Sequence, residues 1–184
     1  MTDTLSIQRS ATLSADEVYR YTLERIWDRT RELGVFVGLN PSTADAEVDD
    51  PTIRRCTGFA QRWNLGGFVM LNLFAVRATD PALLPIWAKK GRDVVGPETD
   101  AHMKRVLLET RGPIVAAWGA HPTARKLQAP GPHEPRETQV LKLLRDYAPG
   151  REVLCFGTTS TGAPKHPLYL RADAAIRAYT HLAP

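Results

Sequence analysis

Four short apolar runs punctuate the chain, at 35–39, 68–74, 114–118 and 153–156. Each has the length of a strand, and none alternates as a strand with one wet face would. The first, Val35-Phe36-Val37-Gly38-Leu39, carries one glycine, and the second carries one polar residue, Asn72. Asp49-Asp50-Pro51 reads as a helix start, with Asp50 as N-cap and Pro51 at the first helical position. The segment 52–64 then places Ile53, Cys56, Phe59, Ala60 and Trp63 on one side, and Gly66-Gly67 ends it. Helical spacing recurs at 98–109, with Met103, Val106 and Leu107 inward, and at 138–147, with Val140, Leu141 and Leu144 inward. Residues 82–87 predict a short apolar helix inside the loop 75–97, and 172–182 predict a terminal helix. Residues 18–27 alternate in part, Tyr19, Tyr21 and Leu23 against Arg20, Thr22 and Glu24, as in a half-buried strand. A helix starting after Ser14-Ala15-Asp16-Glu17 competes for that segment. The proline-rich stretch 130–135 predicts a surface loop.

Strands that alternate with helices argue for a parallel sheet covered on both faces. The expected fold is α/β: one three-layer domain over 1–184 with a central, mainly parallel four-stranded sheet and an N-terminal extra strand or hairpin. At 43% hydrophobic and 24% charged residues, the composition is that of a soluble globular chain. No apolar stretch approaches the ~18 residues of a membrane span. Met1-Thr2-Asp3-Thr4 lacks the charged start and apolar block of a signal peptide, so a cytoplasmic location is expected. A monomer without membrane contact is the accompanying expectation. The two cysteines and five histidines show no metal-ligand spacing, so no metal or cofactor is expected. A net charge of +4 is compatible with a polyanionic partner and equally with none.

Chemistry concentrates where the first and last apolar runs end. Asn40-Pro41-Ser42 follows the first run, and Lys165-His166-Pro167-Leu168-Tyr169 lies in a loop after the last. In an open α/β sheet, ligands bind outside the carboxyl ends of the strands. Parallel strands would therefore bring Asn40 and His166 across one cleft, where a carboxamide and an imidazole could position water and stabilise a leaving anion.

Taken in order, Gly38-Leu39-Asn40-Pro41, then 69–77 with Asn72, then Trp118-Gly119 after 114–117, then Lys165-His166-Pro167-Leu168-Tyr169-Leu170, resemble the motifs of the uracil-DNA glycosylase superfamily. The resemblance covers residues 33–171 and implies a uracil-DNA-glycosylase-like fold. Asn40-Pro41-Ser42-Thr43-Ala44-Asp45 and Gly162-Ala163-Pro164-Lys165-His166-Pro167 are also similar to an uncharacterised bacterial domain family without a firmly assigned activity. Two departures stand out: Asn40 replaces the aspartate of the most active uracil enzymes, and Ser-Pro does not follow His166-Pro167.

The resemblance implies hydrolysis of the N-glycosidic bond of a flipped uracil or other deaminated base in DNA. Flipping costs a few kcal/mol and is least costly at mismatches. Asn40 and His166 are then the catalytic candidates, with His166 donating to the departing base. Independently of the resemblance, Asp45, Asp49 and Asp50 lie downstream of Asn40 and could supply a carboxylate, with Asp45 the preferred catalytic candidate. Asn72, Phe59 and Leu39 are the base-binding candidates, a carboxamide offering both a donor and an acceptor. Ser42, Arg77 and Lys165 would contact DNA, and Leu168 or Tyr169 would be a wedge between bases.

Each reading has a plain structural rival. Asn72 fits a role in satisfying buried backbone groups, and His166 fits an ordinary loop histidine. Phe59 and Trp63 fit an amphipathic helix core, Asp50 a cap, and Asp45 an Asx-turn. Trp118 fits a core ring whose N–H is hydrogen-bonded. Arg125, Lys126 and Arg171 fit a phosphate track or solvated charge. Gly157-Thr158-Thr159-Ser160-Thr161-Gly162 is not a Walker motif. Two other functions remain open: a non-catalytic binder of nucleic acid or a modified base, and a hydrolase or transferase of free nucleosides or nucleotides.

Overall fold

The computed structural model describes residues 6–42, 44–123, 127 and 134–180. Most of the 130–135 loop, together with Arg125 and Lys126, lies outside the described residues. Seven strands form one mixed sheet: β1 (Gln8–Leu13), β2 (Arg20–Ile26), β3 (Leu33–Gly38), β4 (Gly67–Asn72), β5 (Ile114–Ala116), β6 (Val153–Cys155) and β7 (Arg177–Ala178). Their spatial order is β1-β2-β4-β3-β5-β6-β7. This corrects the expected four-stranded, mainly parallel sheet. The four strands read from the apolar runs lie in the middle and pair in parallel. An antiparallel β1–β2 hairpin joins along β4, and β7 pairs antiparallel with β6.

Two apolar clusters coat the sheet. On one face, Phe36, Phe68, Met70 and Val115 meet α1 (Pro51–Arg62) through Ile53, Cys56, Phe59 and Ala60. On the other, Val35, Val37, Leu71 and Ile114 meet Leu84 of α2 (Leu83–Lys89), Met103, Val106 and Leu107 of α3 (Thr99–Glu109), and Val140 and Leu144 of α4 (Arg136–Tyr147). The start of α1 follows its sequence signal: Asp50 accepts the Ile53 N–H at 2.8 Å, and Pro51 opens the helix.

Two local expectations are overturned. Strand β2 is buried on both faces, because β1 and β4 flank it and both layers cover it. A bulge opposite Thr12 and Leu13 adds Tyr21 to the strand and shifts its phase. Tyr21 therefore stacks on His102 of α3 at 4.7 Å, whereas Leu23 joins the α1 face. The terminal helix over 172–182 is absent from its described part; the chain instead adds β7, with Tyr179 N–H donating to Val153 O at 2.8 Å. Tyr179 packs edge-on against Trp118 at 5.6 Å, and that burial outweighs the helix propensity of the alanines.

No helix among the described residues is long and apolar enough to cross a membrane.

Candidate functional site

Strand β3 lies between β4 and β5, so the chain leaves β3 toward β4 and later crosses to its other side. That reversal opens a crevice at the carboxyl ends of the parallel strands. A cleft of about 750 Å³ occupies it. Side-chain parity fixes the lining. Residues 36, 68, 70 and 115 face α1, so Gly38, Asn72 and Ala117, each two residues beyond one of them, carry that face into the cleft. The N-terminus of α1 supplies Asp50, Thr52 and Ile53, and the segment after β6 supplies Lys165, His166, Pro167, Tyr169 and Leu170.

Asn72 is 4% exposed, its Nδ2 is buried without a hydrogen-bond partner, and it lines the cleft. A buried unpaired polar group costs about 1–3 kcal/mol. Its place is made by Gly38, where an added Cβ would fall 2.9 Å from Asn72 Oδ1. The expected alternative, that Asn72 satisfies buried backbone groups, finds no bond made by its Nδ2.

His166 precedes a single 3₁₀ turn, Pro167–Tyr169, and its Nδ1 accepts the Leu168 N–H at 3.3 Å. That bond leaves Nε2 as the protonated nitrogen of the neutral ring. Burial lowers the imidazole pKa, and the Asp50 carboxylate opposes the shift. His166 is therefore a neutral N–H donor near pH 7. Gly119, at φ +75°, lets the chain pass: a Cβ there would lie 3.2 Å from His166 Cβ.

Asn40 lines the cleft, but its Nδ2 donates to Ala78 O at 2.7 Å and Pro41 O at 3.0 Å. Leu39 and Ser42 also line the cleft, Lys165 stands exposed at its mouth, and Tyr169 at the rim is 84% exposed.

Several sequence candidates fall elsewhere. The Asp45 carboxylate accepts the Glu47 and Val48 N–H groups at 2.8 Å each, an Asx-type turn that lowers its pKa, and it does not reach the cleft. Phe59 is buried against Phe156 at 4.4 Å and Trp63 at 5.8 Å, as core rather than base platform. Arg77 reaches Glu17 O at 3.4 Å and lies outside the lining, as does Leu168. Trp118 is core as expected, yet its indole N–H has no hydrogen-bond partner.

One lining group, Arg20, escaped the sequence reading, and a second, Asp50, reads in sequence chiefly as a cap, with a catalytic carboxylate as the alternative. Asp50 is both helix cap and the one carboxylate among the lining residues. The N-cap signal was legible, but the second role depends on how the 44–50 loop folds. Two arginines of β2 hold that loop: Arg20 donates to Ala44 O, and Arg25 bonds Asp49 Oδ1 through Nε at 2.8 Å and Nη2 at 2.7 Å. Arg20 is itself in the lining. Among the described residues, no group of three or more His, Cys, Asp or Glu is placed to hold a metal ion.

Fold and site together define an α/β protein with a mainly apolar pocket, carrying a few polar groups, at the carboxyl edge of a parallel core. The chain matches the model of a family described as "Protein of unknown function (DUF1643)" over residues 20–168, and it belongs to that family. The match runs from Arg20 to Leu168 and so takes in most of the cleft lining. No curated protein and no solved structure matches the chain.

Proposed function

We propose that the cleft binds a nucleobase and hydrolyses its N-glycosidic bond, with a flipped uracil or other deaminated base in DNA as the first substrate class. The observation that carries this reading is the buried, unpartnered Nδ2 group of Asn72 in the same cleft as a neutral imidazole donor. A carboxamide offers one donor and one acceptor edge, which matches the N–H and C=O pattern of an oxo-pyrimidine. The cleft volume falls within the range of small-ligand sites.

The chemistry follows from these groups. Water attacks the sugar carbon, and its proton passes to the free oxygen of Asp50 while Asn40 Oδ1 accepts its other hydrogen. The electron pair of the glycosidic bond leaves with the base. His166 Nε2–H donates to the base oxygen on which that charge gathers, a contribution of roughly 2.7–4 kcal/mol for one such donor. Asn40 cannot take a proton, so the general base moves from the Asn40 position to Asp50. Tyr169 at the rim supplies a ring that can stack beside the extruded nucleotide.

A second reading, hydrolysis or transfer on a free nucleotide, is favoured by one observation: the almost wholly buried Arg20 belongs to the cleft lining, where its guanidinium would receive a nucleotide phosphate. A mass-spectrometric screen for released base separates the two readings. Duplex and single-stranded oligonucleotides carrying uracil, hypoxanthine, xanthine or mismatches are compared with the free nucleotides. Release from oligonucleotides supports the first reading, and release from nucleotides alone supports the second. Tight binding without release from any substrate would leave a non-catalytic binder and overturn both.

A further inference from the structure

Three arginines among the described residues are almost wholly buried: Arg20 at 2%, Arg25 at 1% and Arg136 at 1% exposure. Two of them meet a carboxylate. Arg25 is held by Asp49 through two nitrogens, and Arg136 pairs with Asp100 while its Nε donates to Leu73 O at 2.9 Å. Arg20 meets none. Its Nη1 donates to Ala44 O, and its Nε is buried without a partner. Asp50 is the strongest favourable charge acting on it, yet the two make no ion pair. Burial costs the charged form enough to bring the Arg20 pKa down to about 10, which still leaves it cationic near neutral pH.

A buried cation without a contacting anion is costly unless something else completes it. The residue lines the cleft, whose other charged lining groups, the imidazoles aside, are Asp50 and Lys165. Two cations against one carboxylate leave one positive charge unmatched. A neutral carbonyl would satisfy an N–H of Arg20 but not that charge. An oxoanion would satisfy both, since the planar guanidinium fork can bind two oxygens of a carboxylate or a phosphate at once.

We propose that Arg20 is an anion-binding residue of the cleft and that the ligand brings a compact oxoanion to it, borne on the base itself or as the phosphate of a free nucleotide. The identity of the rest of the ligand rests on the nucleobase reading above; the anion site does not.

Calorimetric titration at low ionic strength and pH 7.5 tests this with two matched pairs and one bare anion. Uracil is compared with orotate, which carries a carboxylate on the base, and deoxyuridine with deoxyuridine 5′-monophosphate; inorganic phosphate is the fifth probe. At least one anionic member is expected to bind tenfold or more tightly than its neutral partner, and the winning pair names the source. The advantage is expected to vanish in Arg20→Gln and persist in Arg29→Gln, a surface charge change of equal size. Equal affinity within both pairs, an advantage that survives Arg20→Gln, or no binding by any probe overturns the proposal. The wild-type comparison stands on its own if Arg20→Gln does not fold, and Arg20→Lys then keeps the charge while removing the fork. Neutral uracil binding as well as orotate, with no phosphate effect, would sink the anion site and leave the base site. Phosphate and orotate binding with no preference for any nucleoside would do the reverse.

Discussion

Gly38 and Asn72 are paired neighbours on parallel strands β3 and β4, and the absent side chain of the first makes the space for the second. A Cβ on Gly38 would meet the far end of the Asn72 side chain at 2.9 Å, not backbone. Gly38→Ala is therefore expected to rotate the carboxamide at little cost in stability. The variant should unfold within a few degrees of wild type and lose at least tenfold in base affinity, measured by thermal melting and titration. A variant that binds normally would show that Asn72 is not the reader.

Asn72→Leu tests the same group from the stability side. Leucine has nearly the outline of asparagine and removes the unsatisfied amide. An increase of about 1 kcal/mol in unfolding free energy is expected, by urea denaturation, because the penalty of an unpaired buried polar group disappears. Ligand binding and any base release should be lost together. A destabilised variant would mean that the amide has a partner in the free protein.

Asp50 carries two roles that substitution can separate. Asparagine caps a helix as well as aspartate, so Asp50→Asn should keep the stability of α1 and remove the carboxylate from the cleft. Asp50→Ala should lose about 1 kcal/mol of stability as well. If Asp50 is the general base, both variants lose roughly 10²–10⁴-fold in single-turnover rate. A fully active Asp50→Asn would leave it a cap alone.

The pH response follows from His166. Its pKa is lowered by burial, so the unfolded chain takes up the proton first as pH falls. Stability from the buried neutral ring is intact above the ordinary histidine value near 6.5 and declines below it, until the folded pKa is also passed. The urea midpoint should drop between pH 7.5 and pH 5, and His166→Gln should flatten part of that drop. An identical pH profile in the variant would contradict the neutral, buried state assigned here.

Much of the frame was legible because it rests on local rules. The Asp50-Pro51 start of α1 needs only a cap and a proline, and the apolar runs behind β3 and β4 need only burial on both faces. Asn72 was visible as the one polar residue in its run, and His166 as the polar end of another. Features set by contacts distant in sequence were not legible. Strand β7 forms because 177–178 find the free edge of β6, although 172–182 favour a helix in isolation. The Tyr21 bulge inverts the alternation read in β2. Arg20 looked like the wet side of a half-buried strand, and its burial follows from the 44–50 loop folding over it. Asp45 was singled out for its nearness to Asn40 in sequence, but two backbone N–H groups claim its carboxylate.

The most direct test of the central claim is single-turnover base release by wild type and His166→Ala, run side by side on whichever substrate the screen identifies. Removal of one donor to the departing base should slow release by about 10²–10³-fold while leaving substrate affinity within a few-fold. Equal rates in the two proteins would contradict the assignment of this cleft as an N-glycosyl hydrolase site.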